Sequence, residues 1–146
     1  MRTRTLLLLA VSCGLLILGA GVVQLLRIAT QEDPSRPAEV GAPVRVGDLT
    51  ITVEGLDEVA GEAVVVLELG GVADDDGTAE FRLVAPGVSL QTTGGTGSPN
   101  AAACAGTTVE TQRCSLTFDV SAVEGSSRVL LFRRGDEQVR WELSGN

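Results

Sequence analysis

The sequence predicts an all-β domain, an antiparallel β-sandwich of about seven strands, preceded by one N-terminal transmembrane helix. Three observations carry this. Residues 6–26 form a run of 21 positions without a charge. Beyond it, short runs alternate apolar with polar residues, the period-two pattern of half-buried strands. No stretch after Leu26 carries a helical apolar stripe. About a hundred residues of short strands separated by turn residues favour a sandwich, with a closed barrel as the alternative.

The apolar run comes first. As a helix, 21 residues span roughly 31 Å, the hydrocarbon thickness of a bilayer. Arg2 and Arg4 precede it, so the positive-inside tendency places residues 1–5 in the cytoplasm and everything after residue 26 outside. An uncleaved signal anchor is the leading reading, because a secretory apolar region is usually shorter. A cleaved signal peptide, cut after Gly21, is the second. The third is a lipoprotein acylated on Cys13, since "AVSC" resembles a lipobox. The residues after Cys13, "GLLILGAGVVQLL", stay apolar where a lipidated cysteine is normally followed by a polar tether. Within a span, Cys13 is simply a small apolar residue.

Residues 27–42 read as an extracytoplasmic linker. The stretch "ATQEDPSRPAEVGAPV" has three prolines, mixed charge and no periodicity. The domain then runs over 43–146. In "DLTITVEG", Leu49, Ile51 and Val53 share a face. In "GEAVVVLELGG", Ala63, Val65, Leu67 and Leu69 do so, with Glu62 and Glu68 opposite. "AEFRLV" turns Phe81 and Leu83 inward, and "VSLQT" turns Val88 and Leu90 inward. "CSLTFDV" sets Cys114, Leu116, Phe118 and Val120 in phase and points Ser115, Thr117 and Asp119 away. "RVLLFR" is apolar on both faces, as a central strand can be. "QVRWEL" closes the set with Val139, Trp141 and Leu143 inward.

The segments "VRVGDLTITVEGLDEV", "EAVVVLELGG", "CSLTFDV" and "VLLFRRGDEQVRWEL" resemble the telokin-like, immunoglobulin-fold domains of secreted and membrane-anchored bacterial proteins. That group includes the mycobacterial immunoprotective extracellular antigens. The resemblance spans residues 43–144. It implies an immunoglobulin-like sandwich in an extracytoplasmic setting and carries over no site residues. Such domains often have an Asn-Gly-type turn after the second strand, where this chain has "GGVADDDG".

Outside the cytoplasm, Cys104 and Cys114 are the two cysteines beyond the apolar run, so a disulfide between them is expected. Nine intervening residues do not match a redox Cys-x-x-Cys pair, and a zinc site lacks ligands. The bridge anchors the glycine-rich segment 92–113, the longest loop and a candidate contact surface.

Composition excludes several functions. The chain has no His and no Lys, which removes the commonest general base, the commonest zinc ligand and any Schiff-base lysine. Beyond residue 26, nine Arg stand against nineteen Asp and Glu, a net charge of −10. Such a domain repels nucleic acid. Asp74, Asp75 and Asp76 form a weak calcium candidate. They lack the EF-hand spacing, and a solvated turn is the simpler account. The tripeptide Arg134-Gly135-Asp136 falls where a hairpin turn belongs. A carboxylate-based hydrolase is the least favoured reading, since one Trp and no Tyr offer little platform for sugars.

The sequence therefore points to a non-catalytic binding or interaction module of the bacterial cell envelope. It needs no cofactor, and its expected partner is a protein or an envelope component. A secreted antigen or envelope lipoprotein with a structural role is the alternative.

Overall fold

The computed structural model describes residues 2–29, 36–95 and 97–144. The middle of the expected linker, residues 30–35, lies outside the described residues. These fall into two units, a helix and a sandwich, each taken here by itself.

Helix α1 (Arg2–Ala29) outruns the charge-free segment at both ends. Its stretch Thr3–Leu26 is long and apolar enough to cross a membrane, and all of its side chains are exposed. The one hydroxyl in mid-run is satisfied locally: Ser12 Oγ donates to the Leu8 carbonyl at 2.9 Å. Cys13 lies on this helix as an exposed free thiol.

The second unit has eight strands: β1 (Pro43–Val46), β2 (Leu49–Val59), β3 (Glu62–Gly70), β4 (Phe81–Ala85), β5 (Val88–Gln91), β6 (Gln112–Asp119), β7 (Ser127–Arg134) and β8 (Glu137–Ser144). They form two four-stranded sheets, in the orders β1-β2-β3-β6 and β5-β4-β7-β8. Every pairing between named strands is antiparallel. The strand beyond the expected seven is β1, the short "PVRV" that folds back on β2. The domain is also entered earlier than Pro43. Ala38 N–H donates to the Arg140 carbonyl at 2.7 Å, and Gly41 N–H to the Val53 carbonyl at 2.7 Å. The last part of the expected linker is thus hydrogen-bonded to the sandwich.

The alternations read from the sequence hold through most of the core. Leu49, Ile51, Val53, Ala63, Val65, Leu67 and Leu69 of one sheet are fully buried, as are Phe81, Leu83, Leu130, Phe132 and Trp141 of the other. With few aromatics available, Phe81 and Phe132 pair across the β4–β7 ladder, their ring centroids 4.4 Å apart. In β2 the register shifts between Val53 and Gly55. This bulge moves the buried phase from Val53 to Leu56 and lets the strand run on to Val59.

Two expectations need correction. Ser115 and Thr117 do alternate away from the inner row of β6, yet both are buried. The loop after β5 lies along β6: Cys104 N–H donates to the Ser115 carbonyl, Ser115 N–H to the Ala102 carbonyl, and Thr93 N–H to the Thr117 carbonyl. The second concerns Val88. Its register opposite Ala85 gives it the inward phase, but it remains 39% exposed. The reason is its place on a margin strand that the other sheet does not fully cover.

Candidate functional site

That margin is where the sandwich opens. Strand β5 ends one sheet and β6 ends the other. Between them lies a groove of about 690 Å³. Val88 and Leu90 present their inward-phase side chains to it, and Val123 and Glu124 of the β6–β7 loop stand across from them. Leu90 and Val123 also pack against the buried core, so the groove floor continues the domain interior.

Local sequence explains each wall. Pro86 and Gly87 form the two-residue turn between β4 and β5, with Gly87 at φ +78°. Proline pre-sets the first turn position, and glycine accepts the positive φ of the second. Asp119 terminates β6: its Oδ1 accepts from Ser121 N–H at 3.0 Å and Ser121 Oγ–H at 2.6 Å. Those hydrogen bonds hold the Asp119 carboxyl below the ordinary carboxylate range, so it is ionised at neutral pH. The β6–β7 loop is fastened from behind by Arg128. This guanidinium is 3% exposed and pairs with Glu58 at 2.6 Å. Its Nη1 also donates to the Gly125 carbonyl at 2.7 Å and the Ser127 carbonyl at 3.0 Å. The groove is lined by two acids, Asp119 and Glu124, and by no base.

The residues singled out in the sequence lie elsewhere. Cys104 and Cys114 form a disulfide, with Cα atoms 5.0 Å apart. It pins the loop to β6. That loop is fastened further by Gln112 Nε2 donating to the Gly106 carbonyl at 2.7 Å and by a bridge between Asp74 and Thr107. Much of segment 92–113 therefore covers its own sheet.

Asp74 is held by a cation already present in the chain. Arg134 Nη1 donates to Asp74 Oδ2 at 2.7 Å, and Arg134 Nε to Asp48 Oδ1 at 3.0 Å. Arg134 lowers the pKa of both carboxyls. Asp75 and Asp76 are exposed; Asp76 directs its backbone N–H to Asp74 Oδ1 at 3.1 Å. Among the described residues, no three His, Cys, Asp or Glu side chains are grouped to hold a metal ion. Arg134-Gly135-Asp136 sits at the β7–β8 hairpin, with Gly135 at φ +60°. Its arginine is engaged by the two aspartates.

The groove escaped the sequence reading. Alternation showed that Val88 and Leu90 face inward, but not that Val88 stays 39% exposed and Leu90 half-buried. A short final pairing strand beside a two-residue turn was the available signal.

No protein-family model matches the chain, and no curated protein matches it. Among solved structures, a secreted protein from Mycobacterium tuberculosis, MPT63, is similar. The TM-score is 0.53 at 13% identity, covering 74% of this chain and 98% of that one. At that identity the likeness is one of fold. It establishes an MPT63-like, immunoglobulin-like β-sandwich, in agreement with the resemblance carried by the strand segments.

Proposed function

We propose that the chain is a non-catalytic extracytoplasmic binding module, held to the membrane by α1, which engages a protein or envelope component at the β5–β6 groove. The observation that carries the reading is the groove itself: inward-phase Val88 is left 39% exposed there, beside half-buried Leu90 and Val123, whose side chains continue into the core. Concave, partly apolar surface of this kind is where ligands and partner segments bind.

Location rests on separate supports. Arg2 and Arg4 precede a membrane-length apolar helix. The Cys104–Cys114 bridge suits an oxidising compartment. The similar MPT63 is a secreted protein. The absence of His and Lys and the engagement of Asp48, Asp74 and Glu54 by arginines argue against catalysis.

Two measurements test this. Mass spectrometry of the N-terminus in membrane and soluble fractions is expected to find the apolar segment intact and membrane-bound. A terminus after Gly21, or diacylglyceryl on Cys13, replaces the anchor with secretion or lipidation. A photo-crosslinking residue at Val88 is expected to give discrete adducts in cells, while one at Asp57 on the outer face of β2 does not. Equal labelling at both positions rejects the groove as the binding site.

A further inference from the structure

We propose that the groove takes an extended, cationic peptide segment of a partner protein, added as a strand to the free edge of β5. The inference rests on the groove being the binding site and specifies what fits there.

The first argument is hydrogen bonding. A sandwich of two four-stranded sheets has four margin strands: β1, β6, β5 and β8. The chain itself occupies the margin of β6 through Thr93 and residues 102–104, and that of β8 through Ala38. Strand β1 opens on Pro43, so of its two outward-facing residues only Arg45 has an N–H to offer. Among the described residues, β5 has no backbone partner other than β4. The two-residue turn closes on the Ala85–Val88 pair. Alternation along the ladder then directs the N–H and C=O of Ser89 and Gln91 away from β4. These groups form a ready ladder for a strand in extended conformation.

The second argument is shape and polarity. A strand laid beside β5 directs every other side chain into the groove, over Leu90 and Val123. The third is charge. Asp119 and Glu124 are the charged residues that line the groove, on a domain whose residues 43–146 hold seven Arg against sixteen acids. Cationic segments are therefore steered in and acidic ones repelled. The same excess of negative charge disfavours a second copy of this chain as the occupant.

The test uses the full chain in nonionic detergent and three fluorescent peptides of about eight residues, long enough to span β5 and its flanks. One alternates Arg with Val, one alternates Glu with Val, and one is the Arg-Val peptide with a central proline. The Arg-Val peptide is expected to bind at least about tenfold tighter than the other two and to weaken as salt is raised. It is expected to shift the Ser89 and Gln91 amide resonances. Ser89→Pro removes one outward N–H while sparing the bonds to β4, and is expected to cut affinity about tenfold. Glu124→Arg changes an exposed loop side chain and is expected to weaken the Arg-Val peptide severalfold; it serves if Ser89→Pro melts early. Equal binding of the Arg and Glu peptides, with β5 shifts, overturns the cationic specificity and leaves the groove as the site. No β5 shift with any peptide overturns strand addition; adducts at Val88 in cells then still uphold the groove. Concentration-dependent dimerisation lost in Ser89→Pro overturns the proposal in favour of a second copy.

Discussion

Ala60 is the one non-glycine residue at positive φ among the described residues, at +54°, with Gly61 after it at +85°. Together they make the tight turn between β2 and β3, with both central residues in the conformation that Asn-Gly sequences prefer. An L-residue with an unhelpful methyl side chain pays about 1 kcal/mol there. Asparagine tolerates the conformation through local hydrogen bonding. Ala60→Asn is therefore expected to raise the melting temperature by a few degrees, on the order of 0.5–1 kcal/mol for a domain of this size. Thermal unfolding followed by circular dichroism checks it; an unchanged or lower midpoint refutes the strain argument. The connection after β3, "GGVADDDG", is longer and built differently. Gly71, at the start of that stretch, has a different duty. At φ +129°, a Cβ there would lie 2.3 Å from the Asp48 carbonyl oxygen, so close backbone approach demands glycine.

At the scale of elements, β7 clasps the two sheets at both of its ends. Arg128 at its start reaches Glu58 of β2; Arg134 at its finish reaches Asp48, between β1 and β2, and Asp74, beyond β3. The two clasps differ in burial. Arg128 lies in the same inward row as Leu130 and Phe132, so removing its partner strands a charge in the interior. Glu58→Leu alone is expected to cost about 2–3 kcal/mol, discounted because Glu58 is itself partly solvated. Adding Arg128→Met is expected to restore at least half of that loss. Denaturant titration of the two single variants and the double variant measures the coupling; strict additivity excludes the clasp. The strands themselves were legible in the sequence, because a margin or central strand with one buried face writes a period of two. What was illegible depended on other elements. Ser115 and Thr117 look like solvent-facing residues and are covered by a loop. Arg128 looks like the polar start of a strand and is an interior charge. The uncovered Val88 depends on how far one sheet overlaps the other, a quantity that no single strand encodes.

For the whole molecule, charge and pH follow from a short inventory. Asp48 and Asp74 beside Arg134, Glu54 beside Arg113, and Asp119 capped by Ser121 all titrate below their ordinary values of 3.8 for Asp and 4.5 for Glu. The unfolded chain thus binds protons more readily than the folded one in this range, and stability rises with pH through it. The contribution is complete above about pH 5.5 and fades as pH falls past 4.5 and 3.8 toward the lower folded values. With no His in the chain, a plateau from about pH 6 to 8 is expected in the sandwich. Melting temperatures between about pH 3 and pH 8 test this; a step near pH 6.5 would contradict it.

The loop that lies along β6 has a consequence for how such molecules can accumulate. Unending growth by strand pairing requires each unit to expose two compatible margins, one to receive and one to donate. Here the chain seals β6 with its own residues 93 and 102–104, lays Ala38 on β8, and begins β1 with a proline. Among the described residues, β5 is the margin strand that is neither contacted by another segment's backbone nor interrupted by proline. Borders covered or interrupted in this way give a repeating strand-to-strand contact little to grow from, which favours discrete complexes over fibres.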